Sequence, residues 1–141
     1  MPTTDGDRAQ EVLADDEARR LLGTVAIGRL AFTTSALPYI RPVSFTVHDG
    51  QVVIPARRGS QLVDAVRGAV VAFEADAYDS ARTGWSVTVV GPSRVVSDPA
   101  HVQQLDALRP ATWAAGPGRC YVTVQVQLVH GVRTGCPPGP A

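Results

Sequence analysis

The residues of this chain best suited to chemistry are arginines and hydroxyls grouped around one stretch, Pro38–Leu62, PYIRPVSFTVHDGQVVIPARRGSQL. Arg41 and Ser44 stand near its start, and Arg57, Arg58, Ser60 and Gln61 near its end. A guanidinium is a planar fork of donors that can grip a phosphate or carboxylate through two parallel hydrogen bonds. Ser60 has the side chain of a good helix N-cap, and the free N–H groups of a helix start suit an anion. Taken by residue type alone, such groups suit contact with an anion. The same residues also read as an ordinary helix cap with solvated arginines, and Arg41 as a plain surface charge.

Other reactive side chains are scattered. His48, His101 and His130 fall in different elements with no metal-ligand spacing; His130, at the end of the last strand, is the one placed to reach a neighbouring site. Glu74 and Asp76 close a strand and read as a solvated edge rather than an acid/base pair. Cys120 and Cys136 give neither a disulfide framework nor a zinc pattern; one reads as a buried thiol and the other as a tail thiol. There is no nucleophile elbow, Walker loop or dinucleotide fingerprint. No catalytic residue and no metal ligand is assigned.

These groups need a scaffold, and the patterning supplies one. The spacing of Val12, Leu13, Ala18, Leu21 and Leu22 predicts a helix over 11–22, stopped by Gly23. Strands are predicted at 24–34, 39–47, 51–56, 69–74, 84–96 and 119–129. In the second of these Arg41, Val43, Phe45 and Val47 share one face, and Pro42, Ser44 and Thr46 the other. His48-Asp49-Gly50 is a hairpin turn signal. Ser60 opens a helix over 61–67, and Asp98-Pro99 opens another to about Leu108. Residues 75–83 and 109–118 read as loops. Gly91-Pro92 inside the long fifth strand predicts a bulge or bend of the kind a small barrel needs. Six antiparallel strands and three short helices, without β-α-β alternation, predict a mainly β (α+β) split barrel.

At 141 residues, with 45% hydrophobic and 18% charged, the chain fits one globular domain. The expected organisation is a disordered leader over 1–10, a barrel domain over 11–133 and a flexible tail over 134–141. Formal net charge is zero, which gives no drive toward nucleic acid or an anionic membrane. All 13 basic residues are arginine, so Schiff-base chemistry on lysine is excluded. The polar, acidic start is unlike a signal peptide, and no apolar run approaches the roughly 20 residues of a membrane helix. The expected setting is the cytoplasm.

In this order the motifs resemble the pyridoxamine 5′-phosphate oxidase-like family of flavin-binding split barrels. The carriers are IGRLAF (27–32), LPYIRPVSF (37–45), ARRGSQL (56–62), VVAFEAD (70–76), GWSVTVVG (84–91) and VHGVRT (129–134), spanning roughly residues 14–133. The resemblance implies a homodimer with flavin sites at its interface, FMN as the cofactor with the deazaflavin F420 as the alternative, and an oxidoreductase acting on a small molecule. It also leaves open a non-catalytic or cofactor-free dimeric barrel. It maps cofactor contacts onto Arg41, Pro42, Val43 and Ser44, then onto Arg57, Arg58, Ser60 and Gln61, and lastly onto Trp85 and Ser86. Ser86 is expected to face the flavin ring, and Trp85 to wall the site or to serve as a core or interface residue. The chain departs from the family at Gln61 and Leu62, which stand where basic residues usually follow Gly-Ser; some F420-binding relatives share the Gln.

Overall fold

Strand pairing is antiparallel throughout, and the fold is decided by where long strands turn from one neighbour to another. The computed structural model describes residues 10–108 and 116–135. In chain order the elements are β1 (Gln10–Leu13), α1 (Asp15–Leu22), β2 (Ile27–Thr34), β3 (Leu37–Ser44), β4 (Thr46–His48), β5 (Gln51–Arg57), α2 (Gln61–Val66), β6 (Val70–Tyr78), β7 (Gly84–Val96), α3 (Pro99–Asp106), β8 (Arg119–Gln125) and β9 (Leu128–Thr134). The hydrogen-bonded path runs β3-β2-β6-β7-β8-β5-β4, with β9 on β7 and β1 on β9. Its two ends, β3 and β4, follow one another in the chain through Phe45 but are not paired there. The sheet therefore curls into a barrel that stays open on the β3 side.

The mainly β class with three short helices stands as expected, but among the described residues the strands number nine rather than six. Two of the extra strands come from corners. The predicted 39–47 strand breaks at Phe45, whose N–H donates to the Ala26 carbonyl at 3.1 Å, so β3 pairs with β2 and β4 with β5. The strict alternation expected across it fails, because Val43, Ser44 and Phe45 are buried in succession. The predicted 119–129 strand breaks at Val126-Gln127. There Val126 N–H bonds the Gly50 carbonyl and Gln127 N–H turns back to Gln125. Leu128, just past the break, is 65% exposed. The third extra strand replaces the first turn of the predicted first helix: Gln10 to Leu13 pair with Thr134 to Gly131, a tertiary ladder that overrides the helical spacing.

Two other elements run longer than expected. β6 continues past Glu74 to Tyr78, still paired with β7 as far as Gly84. β9 continues to Thr134, past residue 129 where the last strand was expected to end. The residues 1–9 and 136–141, Cys136 among them, and 109–115 of the predicted loop lie outside the described residues.

The bend at Gly91-Pro92 is where β7 changes partners, from β6 and β9 before it to β8 after it. A Cβ at position 91 would overlap the Gln125 carbonyl, so only glycine lets the strands cross so closely. The Asp49–Gly50 turn has both residues at positive φ (52° and 71°), the geometry of a two-residue hairpin. Ser35 and Ala36 form a second such turn (52° and 61°), which their side chains did not announce.

The core fills the curl. Leu22, Leu30, Phe73, Val87, Val89, Val122 and Val124 are fully buried, each contributing about 1.5–3 kcal/mol of burial. Phe45 meets Phe73 edge to face at 4.7 Å. A smaller cluster of Val53, Val96, Leu105 and Tyr121 lies under α3. Asp106 anchors that helix by accepting from Tyr121 Oη at 2.6 Å and from Arg119 at 2.7 Å. Burial, followed by the Asp106 carboxylate, pushes the Tyr121 phenol up to about 12.

Candidate functional site

Because β3 and β5 meet without a ladder between them, a cleft opens where the barrel fails to close. Its volume is 240 Å³, and Arg41, Pro42 and Val43 from β3 face Ala56, Arg57, Ser60 and Leu62 across it. Arg41 stands on an edge strand with its ladder partner, Leu30, on one side only. Arg57 ends β5 opposite Arg119. Ser60 has the extended backbone of an N-cap (φ −72°, ψ 154°), and its Oγ accepts from Val63 N at 3.3 Å. Its hydroxyl hydrogen is left for another acceptor. Two cations and a hydroxyl thus converge on one small polar-edged hollow. It is large enough for a phosphoryl group and smaller than the 300–1,000 Å³ or so of a whole-ligand pocket.

Not every residue singled out from the sequence reaches this cleft. Ser44 lies beside it and is buried. Arg58 and Gln61 are exposed and do not line it; Arg58 is tied through its backbone N–H to the Gly118 carbonyl at 2.9 Å. Leu62 forms part of the wall. Trp85 is 7% exposed and packs in the main core. Ser86 lies on the opposite, outer face of β7, between Asp76 of β6 and Val132 of β9. Three strand spacings, roughly 14 Å, separate β7 from β3.

The outer face of this sheet holds a second feature that the sequence reading passed over. Cross-strand registers set its residues in rows. One row is apolar: Ile40, Ala31, Ala72, Val90 and Leu128. The next is polar: Pro42, Arg29, Glu74, Thr88 and His130. A third holds Asp76, Ser86, Val132 and Val12. Between the first two rows a 400 Å³ hollow is lined by Arg29, Ala31, Ile40, Ala72, Glu74 and Asp76. Arg29 lies 3.7 Å from Glu74 and 3.4 Å from Asp76. Burial, then the hydrogen bond and charge of Asp76, push Glu74 up to about 7, against the pull of Arg29. Glu74 and Asp76 are therefore mid-strand residues facing a cavity, not a solvated strand end. The signal was the alternation of Val71, Phe73 and Ala75 inward with Ala72, Glu74 and Asp76 outward, which continues beyond Glu74.

The larger hollow of 630 Å³ at the other end of β5 is of mixed charge, with Asp49 beside Arg19 and Arg94. His48 and His101 are exposed and apart from both sites. Cys120 is fully buried, and burial pushes its thiol up, away from the thiolate. Among the described residues no group of three or more His, Cys, Asp or Glu could hold a metal ion. No helix among them is long and apolar enough to cross a membrane.

Comparison with known proteins fits this geometry. An uncharacterized protein of Mycobacterium tuberculosis, Rv0080, is 43% identical over 133 residues, which cover 89% of this chain and 87% of that one. The solved structure of a FAD binding protein from Mycobacterium smegmatis is 31% identical with a TM-score of 0.74, covering 86% of this chain and 97% of its own. A FAD-binding protein from Mesorhizobium loti, 21% identical, shares the fold with a TM-score of 0.77 over 91% of this chain and 98% of its own. The family model described as pyridoxamine 5′-phosphate oxidase matches residues 14–131. With an open split barrel, a cleft at the unpaired β3–β5 seam and a match over most of its length, this chain belongs to the pyridoxamine 5′-phosphate oxidase family.

Proposed function

We propose that the protein is a dimeric flavin-binding oxidoreductase acting on a small molecule, with FMN as its cofactor. The observation that carries this reading is the convergence of Arg41, Arg57 and Ser60 on one cleft. The residues fit the phosphate end of a flavin: two guanidiniums for the anion and a hydroxyl with a free hydrogen. α2 has only six residues, so the arginines rather than the helix end supply most of the attraction.

A flavin, when bound, supplies hydride and electron transfer itself, so the protein's part is binding, orientation and exclusion of water. That agrees with a site holding no nucleophile–base pair. The 240 Å³ cleft has room for the phosphate end only. The ring then lies outside it, over the sheet, and Pro42 connects the two regions: it lines the cleft and is the ladder partner of Arg29 on the outer face. Ser86 and Asp76 lie one row further along that face. The face is also the one suited to a second copy. Ile40 is 72% exposed, Leu128 65% and Val12 71%, an apolar spread that a monomer rarely leaves open. A two-fold partner would cover it and close the ring in.

A second reading, FAD in place of FMN, is favoured by the 31% identical relative described as a FAD binding protein. The Gln61-Leu62 departure keeps F420 in the comparison. Titration of the purified protein with FMN, FAD and F420, followed by flavin fluorescence and by the visible spectrum, separates them. Submicromolar binding of FMN is expected; a protein that takes up none of the three refutes the oxidoreductase reading.

A further inference from the structure

We infer that Glu74, set between Arg29 and Asp76 in the outer-face hollow, is a ligand-binding residue that donates its carboxylic hydrogen to an acceptor atom on the edge of a planar ring. This rests on the flavin reading and says which atoms of the chain would meet the ring.

The geometry leads there from three sides. The hollow has the make-up of a ring site, with an apolar floor and wall of Ala31, Ala72 and Ile40 and a few polar groups along one margin. Two small alanines side by side on adjacent strands leave a flat shelf, while Ile40 rises beside it. The hollow also adjoins the arginine cleft. Pro42 lines the cleft, Arg29 is its ladder partner, and Glu74 is the partner of Arg29, so the carboxyl lies two strands from the anion grip, roughly 10 Å. A ligand anchored by its anionic end in the cleft has its ring above the shelf with one edge toward Glu74.

The margin is built to keep a proton. Glu74 and Asp76 alternate onto the same face, and each lies within 4 Å of the one guanidinium, that of Arg29. Glu74 is the member held protonated toward neutral pH, by burial first and then by Asp76. The elements around it carry few other charges. Arg29 faces it from β2 and Asp76 from its own strand. β7 presents Thr88 and Ser86, and His130 of β9 lies beyond Thr88 in the same row.

A neutral acid that donates to the ligand binds it more tightly than the carboxylate does. The bound form therefore keeps its proton to higher pH, and affinity falls as pH rises above about 7. The test is fluorescence titration of the wild-type protein with FMN and FAD between pH 5.5 and 8.5. A loss of about tenfold in affinity per pH unit above neutrality is expected, levelling once the bound form also ionises. Glu74→Gln, which keeps an N–H donor and cannot ionise, should bind at pH 8.5 as tightly as at pH 6. Asp76→Asn should move the onset of the fall to lower pH, and His130→Gln should leave it in place. A flat wild-type profile, a slope that survives Glu74→Gln, or a slope abolished by His130→Gln overturns the inference while flavin binding stands. Absence of binding to either flavin at pH 5.5 removes the functional reading and this inference with it.

Discussion

The arginine cleft and the outer-face hollow lie one strand apart, yet they are built in opposite ways. The cleft gathers residues near in sequence: Arg41 and Arg57 flank a single hairpin, and Ser60 follows within the same segment. The hollow gathers Arg29, Ile40, Glu74 and Asp76 from three strands, and only sheet register brings them together. The cleft exists because two strands do not pair, and the hollow because three do. A gap in the ladder leaves exposed, fully charged side chains suited to an anion. A continuous ladder presents a flat floor, and half-burial on it raises the Glu74 carboxyl above its ordinary range.

The two regions can be broken separately. The largest effect is expected from Arg41→Ala combined with Arg57→Ala. Each charge-assisted contact contributes about 1.5–3 kcal/mol, so FMN affinity should fall roughly 100-fold or more. Both side chains are exposed, so the melting temperature should move by no more than a few degrees; flavin affinity unchanged in calorimetry would show that the anion grip lies elsewhere.

Ile40→Glu attacks the other region. It sets a charge at the β3 end of the apolar row that the proposed second copy covers, and should weaken dimerisation by roughly 100-fold. Sedimentation velocity would show monomers at micromolar concentration; an unaltered dimer would move the interface to another face.

Glu74→Gln sharpens the comparison through stability. The folded-state value near 7 lies above the ordinary 4.5, so the native protein binds more protons than the unfolded chain between those values. Stability from this group is present below about pH 4.5 and is lost as pH rises to about 7. The carboxyl is partly solvated, so the swing is about 1 kcal/mol or less after screening. Urea denaturation of the wild type at pH 5 and pH 8 should show the decline, and Glu74→Gln should lack it. Arg41→Ala should keep it, because Glu74 is shifted by burial, Asp76 and Arg29 and not by Arg41.

The smallest change is a control common to both regions. Ala36 holds φ 61° in the β2–β3 turn, a conformation costing a non-glycine residue about 1–2 kcal/mol. Ala36→Gly should stabilise the fold by about 0.5 kcal/mol, net of the added backbone entropy, with flavin affinity unchanged. A drop in affinity would show that the turn itself sets the position of Arg41.

Much of the barrel was legible because its signals are local. Asp49-Gly50 marked its hairpin, Ser60 and Asp98 capped their helices, and Gly91-Pro92 marked the bend in β7. The arginines of the cleft were legible for the same reason. What was missed depends on partners distant in sequence. Nothing within Gln10–Leu13 says that Gly131–Thr134 will claim it as a strand. Nothing near Phe45 or Val126 says that the neighbours on one side give out there and those on the other begin. Glu74 and Asp76 looked solvated because the strand seemed to end with them; their burial comes from β2 and β7 on either side.

The pairing of β9 between β7 and β1 also bears on how the chain is made. On the ribosome β7 emerges well before β9, so its flank from Gly84 to Val90 stays unpaired until the last strand is synthesised. During that interval the nascent protein carries an open apolar edge, the kind of surface that joins neighbouring chains. β1, waiting near the start of the chain, can be docked only after β9 arrives. Slow synthesis of the segment after β8 would lengthen the exposure, and aggregation of this protein would then follow translation rate more closely than the stability of its finished fold.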